Sequence, residues 1–132
     1  MWAFLIVWDE DKKTFGLQLS PRGTNARFLP KGAVLQEYVG VFKTGQGDDV
    51  SGDYAIEVCD GFIDAREVGN LMRFINHDPE PNCMYERCIV NGVERIFIVT
   101  CRDMHARGGM FLSCDYGREA ESIIAAGGPA KL

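Results

Sequence analysis

The sequence predicts a single, mostly β domain of short strands joined by irregular connections, with few helices. Three observations predict it. Short segments rich in β-branched and aromatic residues alternate with Gly, Pro and Asp. An Asn91-Gly92 step, a strong two-residue hairpin signal, separates two such segments. Helical periodicity is scarce. At 132 residues the chain suits one core, because two halves would each be too small to bury one unaided, and 46% hydrophobic with 25% charged residues is ordinary globular composition.

In chain order, the first expected strand is Ala3–Trp8. It is apolar, lacks a basic region before it and runs directly into Asp9, Glu10 and Asp11. It therefore reads as a buried strand and not as a signal peptide or a membrane span. No other stretch approaches membrane length, so a soluble protein without membrane partners is expected. Phe15–Leu19, Val34–Phe42, Tyr54–Val58 and Phe62–Asp64 follow as strands, with Gly45–Asp53 as a Gly/Asp loop whose only apolar residue is Val50. Arg66–Phe74 is expected to hold one or two helical turns, with Leu71, Phe74 and Ile75 spaced for one buried face. The Pro-containing stretch His77–Cys83 reads as irregular. Met84–Val90 and Arg95–Cys101 form the hairpin about Asn91-Gly92, and residues 94–100 suit a strand buried on much of both faces. Glu119–Ala126 reads as a terminal helix, ended by Gly127, Gly128 and Pro129.

A net charge of −5 argues against direct nucleic-acid binding, which favours a basic face, and suits a cationic partner such as a lysine-rich peptide. The five cysteines are Cys59, Cys83, Cys88, Cys101 and Cys114. The count is odd and no pair has C-x-x-C spacing, so buried free thiols are expected, with no disulfide framework and no metal site. Free thiols imply an intracellular compartment.

The chemistry concentrates in one stretch, Gly69-Asn70-Leu71-Met72-Arg73-Phe74-Ile75-Asn76-His77-Asp78-Pro79-Glu80-Pro81-Asn82-Cys83. It resembles the central motif of SET-domain protein lysine methyltransferases, G-N-x-x-R-F-I-N-H-S-C-x-P-N. The motif's companions stand in order around it. Leu29-Pro30-Lys31-Gly32, Glu37-Tyr38-Val39-Gly40 and Ile63-Asp64-Ala65 precede it; Arg95-Ile96-Phe97-Ile98-Val99, Arg102-Asp103-Met104 and Asp115-Tyr116-Gly117 follow. The resemblance runs from about residue 15 to 117 and leaves 118–132 as a tail. An isolated Asn-His pair or Asp-Tyr-Gly ordinarily serves a turn or a strand end; the joint order is what carries the resemblance.

The resemblance implies a SET fold of small curved sheets with a threaded, pseudoknot-like C-terminal segment. It also implies methyl transfer from S-adenosylmethionine to a lysine of a histone or other basic protein. A eukaryotic member would act in the nucleus on chromatin, any other in the cytoplasm. By the same resemblance, Tyr116 is the catalytic tyrosine, Gly23, Tyr54, Arg73, Asn76 and His77 form the cofactor site, and Tyr38 and Cys114 line the lysine channel. The physical task is demanding: free lysine titrates near pH ~10.4, so about one amine in a thousand is neutral at pH 7. A dry, aromatic-walled channel favours the neutral amine and keeps water from the sulfonium.

Several positions depart from the family pattern. Ser20–Ala26 carries only Gly23 where the family writes G-x-G, and Asp78-Pro79 replaces Ser-Cys. The tail lacks the cysteines of the family's zinc cluster, so no zinc is expected and the tail must wall the channel instead. Both acids of G-E-E-L are gone. Cys114, two residues before Tyr116, stands where the family generally has Phe or Tyr, and its small side chain is expected to leave room for dimethyl- or trimethyllysine. The alternative reading is a weakened or inactive SET-like module that binds a protein partner.

Overall fold

Among the described residues, twelve strands form five small sheets, with one 3₁₀ turn between them. The computed structural model describes residues 3–20, 28–45, 54–105 and 110–116; the expected helix Glu119–Ala126, Gly23 and the loop position Val50 lie outside them. Strands β1 (Phe4–Asp9) and β2 (Thr14–Leu19) form an antiparallel hairpin. The short β3 (Phe28–Leu29) pairs with β11 (Met104–His105). β4 (Val34–Glu37) is one edge of a sheet ordered β4-β10-β9, with β9 at Cys83–Val90 and β10 at Val93–Thr100. β5 (Val41–Lys43), β6 (Ala55–Val58) and β7 (Gly61–Asp64) make a fourth sheet, with β7 in its middle. The last sheet is a parallel pair, β8 (Asn76–His77) with β12 (Ser113–Cys114). No helix among the described residues is long and apolar enough to cross a membrane.

The β9–β10 hairpin turns where the Asn-Gly signal places it. Asn91 and Gly92 both adopt positive φ, 51° and 79°, the primed-turn conformation that matches strand twist. β10 is central, and Ile96, Ile98, Val99 and Thr100 are buried.

The expected single strand Val34–Phe42 is two strands in two different sheets. The break falls at Tyr38–Gly40, where a Cβ on Gly40 would lie 2.6 Å from the Asp64 carbonyl carbon and oxygen. Only glycine lets the chain cross β7 that closely while changing sheets. The helix expected over Arg66–Phe74 shrinks to a 3₁₀ turn, Leu71–Phe74. A side chain at Gly69 would meet the Val39 carbonyl oxygen at 2.9 Å, so this stretch is packed against the strand break. Asn70 then caps the turn: its Oδ1 accepts from the Met72 amide at 3.2 Å, while its Nδ2 donates to the Glu37 carbonyl at 2.7 Å.

The core gathers Leu17 and Leu19 of β2, Leu29, Leu35, Tyr38, Ile56, Met72, Ile75, Ile96, Ile98, Leu112 and Cys114. The thiols are mixed: Cys83 and Cys114 are buried as expected, Cys88 and Cys101 are half-buried, and Cys59 is exposed. The segment bearing β12 is inserted between two earlier strands. Leu112 donates its amide to the Leu17 carbonyl on β2 at 2.8 Å, and the Cys114 carbonyl accepts from the Asp78 amide at 2.9 Å. That insertion fixes the site.

Candidate active site

The site is built around the β8–β12 pair, where Asn76 lies opposite Ser113 and His77 opposite Cys114. Such short strands carry few ladder bonds, and side chains do the rest. Asn82 binds the incoming segment at two points: its Nδ2 donates to the Phe111 carbonyl at 2.9 Å, and its Oδ1 accepts from the Ser113 amide at 2.9 Å. The Ser113 hydroxyl accepts from the Asn82 amide at 3.2 Å. The Pro-Asn part of the sequence motif is thus a latch for the C-terminal segment.

Tyr116 closes the same junction. Its amide donates to His77 Nδ1 at 2.8 Å, and its hydroxyl donates to the Ile75 carbonyl. A ring nitrogen that accepts an amide N–H is unprotonated, which places the imidazole proton on Nε2. Asp115 lies beside the ring, its Oδ1 3.8 Å from Nδ1.

The chain has four tyrosines, and all of them meet here. Tyr38 is buried, donates its hydroxyl to the Tyr54 carbonyl at 2.7 Å, and meets the Tyr85 ring edge-on at 6.1 Å between centroids. Tyr116 feels Cys114, Tyr38 and Tyr54. Burial pushes the phenols of Tyr38, Tyr85 and Tyr116 well above their usual range; neighbouring groups push Tyr85 and Tyr116 the same way, while at Tyr38 Asp64 and Tyr54 add to the rise and Arg73 opposes it. Burial likewise raises the Cys114 thiol. The result is a desolvated aromatic cluster with Tyr116 at its junction with Asn76 and His77.

On the other side of β8 the Asn76 Nδ2 is buried and has no hydrogen-bond partner. Gly16 of β2 stands against it: a Cβ there would lie 3.0 Å from Nδ2 and 2.8 Å from the Phe111 ring. A cleft of about 310 Å³ opens at Asn76, bordered by Asp9, Lys12, Asp78, Phe111 and Ser113. An orphaned buried donor beside a backbone stripped of its Cβ fits a ligand that brings an acceptor and packs closely on β2.

The expected residues divide accordingly. Tyr38, Tyr54, His77, Cys114 and Tyr116 come together, and Asn76 adjoins them. Arg73 does not border that cleft. Its Nη1 donates to the Ala65 carbonyl at 3.1 Å, its guanidinium lies 5.1 Å from the Phe74 ring centre, and it lines a separate apolar hollow of about 630 Å³. The residues that sequence reading missed are Gly16 and Tyr85. A glycine inside a strand pattern was the available signal for the first; nothing but strand alternation marked the second.

The sequence matches the model of the SET domain family over residues 24–117. The chain belongs to the SET-domain family. It is similar to histone-lysine N-methyltransferase NSD3 of Mus musculus, 34% identical over 101 residues, covering 68% of this chain and 7% of that protein. It is also similar to histone-lysine N-methyltransferase ASHH2 of Arabidopsis thaliana, 34% identical over 116 residues, covering 80% of this chain and 6% of that protein. The SET domain thus spans a small fraction of the length of these relatives. In fold it resembles KRYPTONITE, solved in complex with mCHG DNA and SAH, with a TM-score of 0.71 and 22% identity over 89% of this chain and 24% of that one.

Proposed function

We propose that this SET domain is a protein-lysine N-methyltransferase that takes its methyl group from S-adenosylmethionine and acts on a histone or other basic protein. The observation that carries the reading is the junction at β8. One short strand presents an unpartnered Asn76 amide to the cofactor side and, through Ile75 and His77, holds Tyr116 on the other. The histone-lysine methyltransferase relatives and the SAH-bound structural neighbour support the same assignment.

Asn76, His77 and the backbone at Gly16 would hold the cofactor. Tyr54 borders the aromatic side, and Gly23 is proposed, from the family resemblance, to contact the cofactor. Arg73 is proposed to act indirectly, by holding Ala65, whose amide donates to the Tyr54 carbonyl at 3.1 Å. When bound, S-adenosylmethionine supplies an electrophilic methyl on a sulfonium. The chain's own work is alignment and dehydration. Tyr38, Tyr85 and Tyr116 wall a desolvated channel that favours the neutral lysine amine. The Tyr116 hydroxyl, already donating to Ile75, keeps its oxygen lone pairs for an amine N–H, which orients the nitrogen lone pair. The overall charge of −5 suits a cationic substrate.

Calorimetric titration with S-adenosylmethionine, beside mass spectrometry of recombinant core histones after incubation, tests the proposal. Heat of binding that weakens about tenfold in affinity in Asn76→Ala, together with a gain of 14 Da on lysine, is expected. No heat at millimolar cofactor would overturn it.

A further inference from the structure

Strand β1 reads as a buried strand, because Phe4-Leu5-Ile6-Val7-Trp8 is apolar at every position. The fold leaves it half uncovered: Leu5 is 45%, Ile6 44% and Trp8 45% exposed. It is also an edge. Among the described residues β1 pairs with β2 alone, and the far side of β2 is taken by Leu112, whose amide donates to the Leu17 carbonyl, and by Phe111, which pairs with Gln18. Natural edge strands are blunted by a charge, a proline or a bulge, and β1 has none of these.

The register fixes which backbone groups that edge offers. The Ser20 amide donates to the Ala3 carbonyl at 2.8 Å, so Ala3 and Ser20 are a hydrogen-bonded pair. Such pairs alternate along an antiparallel ladder, so Leu5 and Val7 also bond to β2, while Phe4, Ile6 and Trp8 turn N–H and C=O outward. These positions are symmetric about Ile6. A second β1 laid antiparallel, Ile6 opposite Ile6, satisfies all of them and sets Phe4 opposite Trp8 at each end. Any other antiparallel register leaves some unpaired.

The side chains agree with that register. Directly opposed residues share one face of a sheet, and Phe4 and Trp8 share that face within a strand. Phe4 borders the apolar hollow of about 630 Å³, whose walls include Leu35, Leu71 and Phe74. Trp8 is a half-exposed indole braced by Phe15, edge-on at 5.2 Å between centroids. The two-fold pairing therefore delivers the Trp8 of each copy to the hollow of the other. Charge permits the approach: no charged side chain lies between Ala3 and Trp8, and Asp9 of one copy falls opposite Ala3 of the other. Two chains of net charge −5 thus meet without opposed carboxylates.

We propose that this chain forms a two-fold dimer through β1, which joins two β1–β2 hairpins into one sheet ordered β2-β1-β1-β2 and seats each Trp8 in the other copy's hollow. The same patch serves on both copies, so the contact closes after two chains. One short strand and one indole per copy bury less than the ~800 Å² per partner of a standard interface, which sets the expected dissociation constant at about 1–100 µM.

Sedimentation velocity of the full chain from about 1 to about 500 µM reads the association. Hydrogen exchange of the peptide carrying Phe4, Ile6 and Trp8, followed by mass spectrometry, reads its place. The average mass is expected to rise from 14.7 kDa toward twice that value, and the peptide to exchange more slowly at the top of the range than at the bottom. Trp8→Ala takes away the indole, and Ile6→Pro takes away the central outward N–H without touching a bond to β2. Each is expected to raise the dissociation constant at least about tenfold. If Ile6→Pro does not fold, Trp8→Ala decides, with circular dichroism to show that its strands are intact. Ile89→Lys, on the exposed tip of the β9–β10 hairpin, is expected to leave association unchanged. A wild type that stays at 14.7 kDa throughout overturns the proposal. So does a mass that climbs past two copies, or a dimer that leaves the peptide unprotected and survives Trp8→Ala. None of these readings uses cofactor or turnover, so they stand or fall apart from the methyltransferase reading above.

Discussion

The β4-β10-β9 sheet and the β8–β12 junction are held together in opposite ways. The β9–β10 hairpin runs eight paired positions, Val93 with Val90 through Thr100 with Cys83, and its stability resides in the backbone ladder and a buried row of Ile and Val. The junction has two paired positions and is fastened by named side chains: Asn82, Ser113, His77 and Tyr116. A ladder tolerates most residues of β-forming type; a side-chain latch tolerates one. The two regions teach why recognisable motifs crowd around residues 69–83 and 111–117 while the hairpin is legible only as pattern.

Substitutions can break or sharpen that contrast. The largest effect is expected for Tyr116→Phe, which keeps the ring but removes the hydroxyl bound to Ile75. Turnover should fall by about 10²–10³-fold with cofactor affinity nearly unchanged, as when a stabiliser of the transition state alone is lost. Steady-state kinetics beside calorimetry read both quantities. Asn82→Ala strips two buried hydrogen bonds and leaves the Phe111 carbonyl and the Ser113 amide unpaired. A loss of about 2–4 kcal/mol of stability is expected in a urea melt. Asn76→Ala removes the orphan donor, so it should leave the ligand-free melting temperature within a few degrees yet weaken S-adenosylmethionine by about tenfold. A melting temperature that collapses in Asn76→Ala would make that residue a structural one. Smallest of all, Ile89→Thr on the hairpin, 76% exposed, should change stability by less than about 0.5 kcal/mol.

Alkali gives a separate reading of the tyrosine cluster. Tyr38, Tyr85 and Tyr116 have folded pKa values raised above the unfolded one, so their contribution is complete below pH ~10 and is lost as pH climbs toward the folded values. Stability should then fall by up to about 1.4 kcal/mol per pH unit for each tyrosine that resists ionising. Absorbance at 295 nm should show these phenols ionising together with unfolding. Ionisation of all three in still-folded protein would show that the channel is wet.

Much of this was readable in the residues. The order of motifs, from Leu29-Pro30-Lys31-Gly32 to Asp115-Tyr116-Gly117, identified the architecture that periodicity alone reduced to short strands, and Asn91-Gly92 placed its hairpin to the residue. Val34–Phe42 was not readable as two strands, since both halves favour β structure and only Gly40 marks the crossing. The place of Tyr85 in the tyrosine cluster was hidden for another reason. On β9 it alternates like any half-buried strand residue, and its partners Tyr38, Cys114 and Tyr116 belong to other elements brought together by insertion.

The insertion of the segment bearing β12 between β2 and β8 has a temporal meaning. Tyr116 meets the Ile75 carbonyl across 41 residues of chain, and the Asn82 latch closes across 29. Contacts of that span form only after the intervening hairpin has paid its loop-closure entropy. By that entropy the Tyr116 hydroxyl, proposed above to orient the amine, is expected to reach Ile75 late in folding. A molecule caught with its strands formed but its last segment unthreaded would have much of its core and no aligned phenol, so competence to react and completion of folding arrive in a single event.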